Sequence, residues 1–434
     1  MSAVLQLRPL IRARQADLGD VFQAARQAYR YTASFFDQTT ECVRFQKVLG
    51  LGSSGMVTLW SEVNRAEQRV RDFAVKAPNE LCDPYFRTEI SWMNTFETAE
   101  HFVQPIFLPE NVLDSGYYND PNGESGSAAI LIMEYFQRCE LNELLIRINE
   151  SVLNNPGLPD NEKKLEYIPS RILWRLFLCL VRACVGMAYP PPQYYGRPDT
   201  YREIIIPNRD PELIIHFDMH LLNVFIDDLS ETWTDVPEHG FAPRFKLGDF
   251  GLTQAWDPDL EDEVKIAAAH VGKPGYQAPL MYNSLTLYYT DDEDWQPEVC
   301  PIAMPDGTAY NLNTWAPFLV GDDASVYEDF RSYSTELRTL IARCMADRQE
   351  ERPSLHELLD LIQANIARGD ATAANAQMQF EAEKQLDPTK QKPPVDIKRP
   401  PPIEDDDLLQ RFFREYLREP AMREDPYSDY WNER

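Results

Sequence analysis

A glycine-rich turn between two short apolar runs constrains the fold more than any other feature of this sequence. Gly50, Gly52 and Gly55 lie in the turn, and residues 45–49 and 56–60 flank it. Short apolar runs joined by such turns are typical of antiparallel strands. Glycine has no Cβ, so its backbone can approach a bound phosphate closely. The pattern therefore predicts a β-hairpin whose turn covers phosphates, rather than a turn that opens a helix.

A lysine follows this hairpin in a run that predicts a third strand. Lys76 comes two residues after Ala74, and Val57 lies beside the glycine turn at the start of the second strand. A predicted helix over residues 84–96 carries Glu89, whose carboxylate would anchor the flexible lysine side chain. The alternative for Glu89 is an exposed charge on the surface of that helix.

Three side chains that offer oxygen ligands follow far downstream. Asn223 lies five residues after Asp218, and Asp249 begins an Asp-Phe-Gly sequence directly after a predicted short strand. Taken alone, Asp218 and Asn223 could cap a turn, and the Asp-Phe-Gly sequence could be a hairpin. In order after Lys76, the set instead predicts ATP-dependent phosphoryl transfer, because carboxylate and amide oxygens are the ligands that Mg²⁺ prefers.

The ordered set resembles the signature of the eukaryotic protein kinase family. The resemblance covers about residues 45–285 and 330–366, and residues 272–280 resemble the end of an activation segment. It implies an α+β, two-lobed fold with a small antiparallel β-sheet lobe and a mainly helical large lobe. It also implies transfer of the γ-phosphoryl group of Mg-ATP to serine or threonine hydroxyls of a protein substrate. The catalytic loop and the tail are similar to those of fungal kinase-like proteins.

The resemblance assigns roles to individual residues. Lys76 would pair with the α- and β-phosphates of ATP, anchored by Glu89, and Asp218 would accept the proton of the attacking hydroxyl. Asn223 and Asp249 would hold Mg²⁺. The other nucleotide contacts that it implies are Gly50, Gly52, Gly55, Val57, Ala74, Met133, the backbone of Glu134 and of Phe136, Glu140 and Phe225.

Two of these nucleotide contacts have ordinary structural alternatives. Glu140 would reach the ribose, but a carboxylate at the surface explains the same residue. Phe225 would lie beneath the adenine, but an aromatic residue of the core explains it equally well. The residue types alone leave both alternatives open.

The chain departs from the family pattern in the catalytic loop and the segment that follows it. Phe217 stands where an arginine normally docks a phosphorylated activation loop. Residues 252–275 contain Thr253 but no serine or tyrosine. Both features predict a kinase that loop phosphorylation does not switch. His220 stands where protein kinases usually carry a lysine. The His-x-Asp-x-His-x-x-Asn run that contains it resembles the small-molecule phosphotransferases of the aminoglycoside and choline type, so a small-molecule acceptor is an alternative.

Two further departures affect the expected large lobe. Leu280 replaces a glutamate that normally pairs with an arginine at the position of Arg352, and a buried arginine without a partner would be costly. The Asp-x-Trp-x-x-Gly helix of the family is not found between Leu280 and Asn311. These departures favour a second alternative, a pseudokinase scaffold with little turnover.

The sequence predicts a central domain with extensions at both ends. Ser170 and Ser334 are predicted N-caps of large-lobe helices. The C-terminal helix would dock on the domain, or on a partner. The predicted segments are an N-terminal helical extension (1–44) that packs on the domain, a kinase-like domain (45–366, with lobes 45–135 and 136–366), a linker (367–403) and an amphipathic helix with a tail (404–434).

The net charge, the cysteines and the lengths of the apolar segments narrow the expected partners and the expected compartment. A net charge of −28 argues against a nucleic-acid binder, which needs lysine and arginine to neutralise phosphates. The seven cysteines are scattered and contain no CxxC pair, which predicts a reducing compartment and no structural zinc. No segment approaches the roughly 20 apolar residues of a membrane span. We therefore expect an intracellular protein, cytoplasmic or nuclear; the sequence carries no indication of the oligomeric state.

Overall fold

The computed structural model divides the chain into two compact units. The first takes residues up to 94 together with 104–135, and the second takes 95–103 and most of the chain from 136 onward. None of the helices in the described residues is both long enough and apolar enough to cross a membrane. The structure describes residues 26, 29–30, 32–37, 42–51, 55–78, 84–106, 116–119, 127–138, 140–192, 200–227, 237–240, 242–257, 259, 297–303, 308–320 and 330–418.

The first unit is built on a five-stranded antiparallel sheet with the strand order β1-β2-β3-β5-β4. A single helix, α1, follows the third strand. The predicted hairpin, third strand and helix are all present, and the fourth strand is an addition. The elements are β1 (Val43–Leu51), β2 (Met56–Val63), β3 (Arg69–Ala77), α1 (Pro84–Thr95), β4 (Gly116–Asn119) and β5 (Ser127–Glu134).

One face of this sheet is covered by a short helical segment from the N-terminal extension. Residues 32–37 are helical, and Phe35 and Phe36 are buried against the sheet. The ring of Phe36 lies 4.7 Å from that of Trp60 and 5.9 Å from that of Phe73. These contacts agree with the predicted packing of the extension; residues 1–25 lie outside the described residues.

The second unit combines helices with short antiparallel strand pairs, so the chain as a whole is α+β. Its strand pairs are β6–β9, β7–β8 and β10–β11. Apolar residues of α3 pack against α4 and the first half of α5. The elements are α2 (Leu141–Asn154), α3 (Ser170–Ala188), β6 (Ile214–Ile215), β7 (Val224–Ile226), β8 (Phe245–Leu247), β9 (Gln254–Ala255), β10 (Glu298–Ala303), β11 (Ala309–Thr314), α4 (Thr335–Cys344), α5 (Leu355–Leu386) and α6 (Asp406–Phe412).

The start of α3 is capped by a distant residue, which corrects the prediction that Ser170 is its N-cap. Ser170 is the first residue of the helix, and its side chain makes no cap. The carboxylate of Glu404 instead accepts hydrogen bonds from the N–H groups of Ser170 and Arg171, at 2.7 and 2.8 Å. A carboxylate also complements the positive end of the helix dipole. The predicted cap at Ser334 is present, since its side chain accepts the N–H of Leu337.

Helix α5 continues well into the range that the sequence analysis assigned to a linker. It ends at Leu386 rather than near residue 366. The added turns are rich in alanine and glutamine, which are good helix formers. Asp370 holds them against α3, because its carboxylate accepts two hydrogen bonds from Arg175, at 2.8 and 2.9 Å, and two from Arg171, at 2.7 and 3.1 Å.

The predicted C-terminal amphipathic helix packs within the second unit, as expected. Asp405 caps α6, and Leu408, Leu409 and Phe412 on its apolar face are buried. Tyr416, one turn further on, is also buried and donates its hydroxyl to the carbonyl of Leu165. These contacts, together with the Glu404 cap, attach residues 404–417 to the unit, and residues 419–434 lie outside the described residues.

Two paired strands, β10 and β11, overlap the range in which the family's Asp-x-Trp-x-x-Gly helix is not found in the sequence. Strands β10 and β11 are antiparallel. Their residues Cys300, Ile302 and Leu312 form a buried apolar cluster with Ala342 of α4 and Ala346, which follows α4. Arg352, whose usual glutamate partner is replaced by Leu280 in the sequence, donates to the carbonyl of Ala346 at 2.9 Å and to that of Asp347 at 3.2 Å. These backbone acceptors satisfy part of its guanidinium group. Leu280 lies outside the described residues.

The Glu404 cap yields a stability prediction. We expect Glu404→Ala to lower the free energy of unfolding by about 1–3 kcal/mol, because two N–H groups at the start of α3, one buried and one part-buried, lose their acceptor. Chemical denaturation of the full chain measures the change. Glu381→Ala, at an exposed position of α5, is the matched control and should change stability by less than about 0.5 kcal/mol. Equal effects of the two substitutions would contradict the assignment.

Candidate active site

Lys76 and Glu89 form a buried ion pair within the first unit. Lys76 lies on β3, the strand between β2 and β5, and its Nζ is 2.8 Å from Glu89 Oε1 on α1. Both side chains are nearly inaccessible, at 6% and 2% exposure. The alternative that Glu89 is an exposed helix charge is therefore wrong. The contact fixes the lysine head group, which the flexible side chain alone could not do.

Three of the predicted nucleotide contacts lie on the same face of the sheet as Lys76. Val57 is directly opposite Lys76 in the β2–β3 register, and Ala74 is opposite Met133 in the β3–β5 register. Because side chains alternate along a strand, Ala74 and Lys76 point to the same side. The covered face, with Phe73 and the N-terminal segment, is the opposite one. The sheet thus brings these residues together as predicted.

The glycine turn is described only at its two ends. Gly50 is the last residue but one of β1, and Gly55 directly precedes β2, whereas Gly52 lies outside the described residues. A Cβ on Gly55 would lie 2.4 Å from the carbonyl oxygen of Ala77, so a side chain there would displace backbone. Gly55 therefore has a packing reason of its own, in addition to the proposed approach to phosphate.

The backbone N–H of Glu134 is already used inside the first unit. It donates to the carbonyl of Gln104 at 3.1 Å, and the Glu134 carboxylate accepts the N–H of Gln104 at 2.8 Å. This N–H is therefore unavailable to an adenine edge, which limits the predicted backbone contact of Glu134 to its carbonyl.

The other predicted nucleotide contacts belong to the second unit. The rings of Phe136 and Phe225 stack with centroids 5.3 Å apart, and the Lys246 ammonium lies 5.7 Å from the ring of Phe136. Glu140 pairs with Phe225 through a backbone bridge and is only 6% exposed. The alternative of a carboxylate at the surface is therefore wrong for Glu140. Phe225 is half-buried.

Asp218 and Asn223 are joined by two hydrogen bonds in the predicted catalytic loop. Nδ2 of Asn223 donates to the backbone carbonyl of Asp218 at 2.9 Å and to its carboxylate Oδ2 at 3.0 Å. Because the amide nitrogen makes both bonds, Oδ1 of Asn223 remains as an oxygen ligand. The loop is thus closed by the same two residues that the sequence placed five positions apart.

The pairing of β7 with β8 places the Asp-Phe-Gly sequence beside Asn223. Asn223 directly precedes β7, Gly248 directly follows β8, and the N–H of Gly248 donates to the carbonyl of Asn223 at 2.9 Å. A Cβ on Gly248 would lie 2.6 Å from Val103 Cγ2 and 3.0 Å from Phe225 Cε2, so only glycine fits. Asp249 follows with φ of 63°, a left-handed conformation that is uncommon outside glycine.

His216 connects the catalytic loop to the end of β8. Its Nδ1 accepts the N–H of Asp218 at 3.2 Å, so Nε2 carries the proton and donates to the carbonyl of Gly248, also at 3.2 Å. Burial lowers the pKa of His216 to about 4. The neutral ring therefore holds Asp218 and the residue before Asp249 in one hydrogen-bonded arrangement.

Phe250 is anchored by aromatic residues that the sequence analysis did not single out. Its ring lies 5.3 Å from that of Phe96, 5.8 Å from that of Phe102 and 5.4 Å from that of His216. Phe96 and Phe102 stack on each other at 4.5 Å. Their distance in sequence from Phe250 hides this contact, and no periodicity in the sequence could have revealed it.

Two residues in the loop differ from the family pattern in ways that the structure explains. Phe217, in place of an arginine, adopts φ of 61°, and its ring lies 6.3 Å from that of Trp256. His220 is buried, accepts the N–H of Leu222 on Nδ1, and places Nε2 3.2 Å from Asp218 Oδ1, off the line of a hydrogen bond. Residues 272–280, the expected end of the activation segment, lie outside the described residues.

Comparison with known proteins gives a partial match to a kinase. No protein-family model matches the chain. A stretch of 152 residues, 34% of this chain, is 27% identical to the human (Homo sapiens) serine/threonine-protein kinase Nek2. The match covers 29% of Nek2, so the chain spans less than a third of that relative's length. The similarity supports a kinase-like domain and, at that coarse level, a kinase-like function. It gives no support to the fungal resemblance.

The buried His216 yields a pH prediction. Between about pH 6.5 and pH 4 the unfolded state binds a proton at this residue and the folded state does not. Stability should therefore fall as the pH is lowered through this window, by about 3 kcal/mol for His216. Chemical denaturation at a series of pH values, for the wild type and His216→Gln, isolates this contribution. An identical pH dependence in both proteins would contradict it.

Proposed function

We propose that this chain transfers the γ-phosphoryl group of Mg-ATP to serine or threonine hydroxyls of a protein. The carrying observation is the hydrogen-bond set of the second unit, in which Asn223 bonds to Asp218 and the N–H of Gly248 bonds to Asn223. This set brings a carboxylate base next to two side chains that offer oxygen ligands. Phosphoryl transfer depends mainly on such positioning and on electrostatic stabilisation.

The side chains present fit a magnesium ion. Oδ1 of Asn223 and the carboxylate of Asp249 are hard oxygen donors, as Mg²⁺ requires. The nearby nitrogen ligands of His216 are already committed, Nδ1 to the N–H of Asp218 and Nε2 to the carbonyl of Gly248. When bound, the ion would neutralise negative charge on the phosphates. In the proposal Asn223 and Asp249 hold it.

Asp218 has one carboxylate oxygen suited to receive a proton. Its Oδ2 accepts the Asn223 amide, whereas Oδ1 accepts no hydrogen bond from the described residues. A general base must lie within hydrogen-bond reach of the hydroxyl it activates, and Oδ1 meets that need when substrate binds. Lys76, held by Glu89, would pair with the α- and β-phosphates.

His220 is the observation that favours a second candidate function, phosphorylation of a small molecule. Its ring is buried within the catalytic loop, tied to the N–H of Leu222 and directed at Asp218. The ring is therefore held by neighbours within the loop, whereas the lysine usual at this position of a protein kinase is flexible. A panel of acceptors, with a protein mixture on one side and aminoglycosides and choline on the other, separates the two functions.

The first prediction for activity concerns the base. We expect the full chain to transfer labelled γ-phosphate from Mg-ATP to a protein mixture, and Asp218→Asn to slow the transfer by about 10²- to 10⁴-fold. Asp210→Asn, an exposed position, is the matched control and should retain the rate.

Two results would overturn the protein-kinase proposal. Transfer that survives in Asp218→Asn would show that Asp218 is not the base. A folded chain that binds ATP but transfers phosphate to neither class of acceptor would be a pseudokinase.

A further inference from the structure

Three buried side chains that could bind a metal meet in the second unit, and none of them belongs to the proposed active site. They are His101, Cys179 and His239, hereafter the His-Cys cluster. One ligand atom from each lies within 4.8 Å of the others, and Cys179 Sγ is 3.9 Å from His239 Nδ1. All three residues are at most 6% exposed. The three residues are far apart in the sequence. Cys179 lies on the long helix α3.

We propose that the His-Cys cluster is a structural metal site that binds Zn²⁺. Two imidazoles and one thiolate form a donor set that zinc prefers, and zinc–ligand bonds are about 2.0–2.3 Å long. In tetrahedral geometry such bonds separate the ligand atoms by roughly 3.3–3.8 Å. The observed spacing therefore requires a small inward movement of the side chains.

The surroundings of the cluster have the features of an outer shell around a metal. The carboxylate of Glu203, which is fully buried, lies 2.7 Å from His101 Nδ1 through Oε2 and accepts the His101 N–H through Oε1. A carboxylate that orients a histidine ligand in this way is typical of zinc sites. His101 Nε2 is buried and has no hydrogen-bond partner among the described residues.

The sulfur of Cys179 is also placed as a thiolate ligand requires. The backbone N–H of Phe245 donates to Sγ at 3.5 Å, which stabilises negative charge on the sulfur. With a thiolate at Cys179 and a carboxylate at Glu203, a divalent cation would leave the buried group without net charge. Buried charges are tolerated only when they are paired in this way.

Arginine side chains lie near one of the proposed ligands. The arginines near His239 are Arg244, Arg175 and Arg202, of which Arg175 is paired with Asp370 and Arg202 with Glu238. These two pairs offset part of the positive charge beside the proposed cation. In the proposal, the ring nitrogens of His101 and His239 that face the metal carry no proton, because a histidine binds a metal ion through an unprotonated nitrogen.

The metal would connect the core of the unit to the strand that ends before Asp249. Cys179 contacts β8 through the N–H of Phe245, and the carbonyl of His101 accepts the N–H of Leu247, also on β8, at 2.8 Å. A metal held by Cys179 and His101 would fix this strand from both contacts. Its role in the proposal is structural and does not depend on catalytic turnover.

Metal content of the purified, untagged full chain tests the proposal. Elemental analysis after gel filtration should find about one zinc per chain in the wild type and little in Cys179→Ala or His239→Ala. Cys184→Ala, a cysteine on the same helix outside the cluster, is the matched control and should keep the metal. Removal of the metal by a chelator should lower the melting temperature of the wild type and of this control.

Cobalt substitution gives a readout that does not depend on the folding of the variants. The wild-type chain loaded with Co²⁺ should show a thiolate-to-cobalt charge-transfer band and the visible bands of a tetrahedral ion. Zinc retained by Cys179→Ala would overturn the proposal. A wild type with neither zinc nor the cobalt bands would overturn it too, and would leave a metal-free Glu203–His101–Cys179 network. Copper in place of zinc would overturn the assignment of the metal.

Discussion

Strand β8 is the element on which the second unit's chemistry depends. One of its edges pairs with β7, and the other exchanges hydrogen bonds with residues 101–103, where Val103 donates to the Leu247 carbonyl and Leu247 donates to the His101 carbonyl. Both edges of this three-residue strand are therefore fixed. The strand therefore fixes the position of the residues that follow it, Gly248 and Asp249. Asn223, which directly precedes β7, accepts the N–H of Gly248.

The same strand connects the proposed active site to the His-Cys cluster. On the side of the active site, His216 joins the Gly248 carbonyl to the Asp218 backbone. On the other side, Phe245 donates to Cys179. Direct hydrogen bonds thus link Cys179 to the first residue of β8 and His101 to its last residue, two residues before Asp249. Residues 95–103 belong to the second unit although the chain on either side of them belongs to the first. They supply His101 to the cluster and the rings of Phe96 and Phe102 that contact Phe250.

Sequence reasoning succeeded for the fold where the predicted elements are formed by residues close together in the sequence. The glycine turn, the strand that carries Lys76 and the five-residue interval between Asp218 and Asn223 are local patterns, and the structure contains the elements and contacts they predict. Glu89 was predictable because a helix follows the lysine strand at a short interval. The sequence analysis predicted its side-chain contact with Lys76, a residue on a different secondary-structure element.

Sequence reasoning failed where contacts join distant segments. Glu404 caps a helix that begins at Ser170, Asp370 extends α5 by pairing with two arginines of α3, and neither contact has a sequence pattern. The convergence of a cysteine and two histidines in the His-Cys cluster also has no sequence pattern, because the three residues are far apart in the chain. The expectation of no structural zinc, drawn from the absence of a CxxC pair, stays a prediction that the metal analysis tests. Ligand spacing reveals a metal site only when the ligands are close in sequence.

Magnesium-dependent ATP binding by Asp249→Ala tests the central claim most directly, because Asp249 is the residue that β8 positions. Calorimetric titration of the full chain with ATP, with and without Mg²⁺, should show metal-dependent binding in the wild type that Asp249→Ala weakens by at least about tenfold. Asp257→Ala, an exposed carboxylate a few residues later, should bind as the wild type does. Unchanged Mg²⁺-dependent binding in Asp249→Ala would contradict the account.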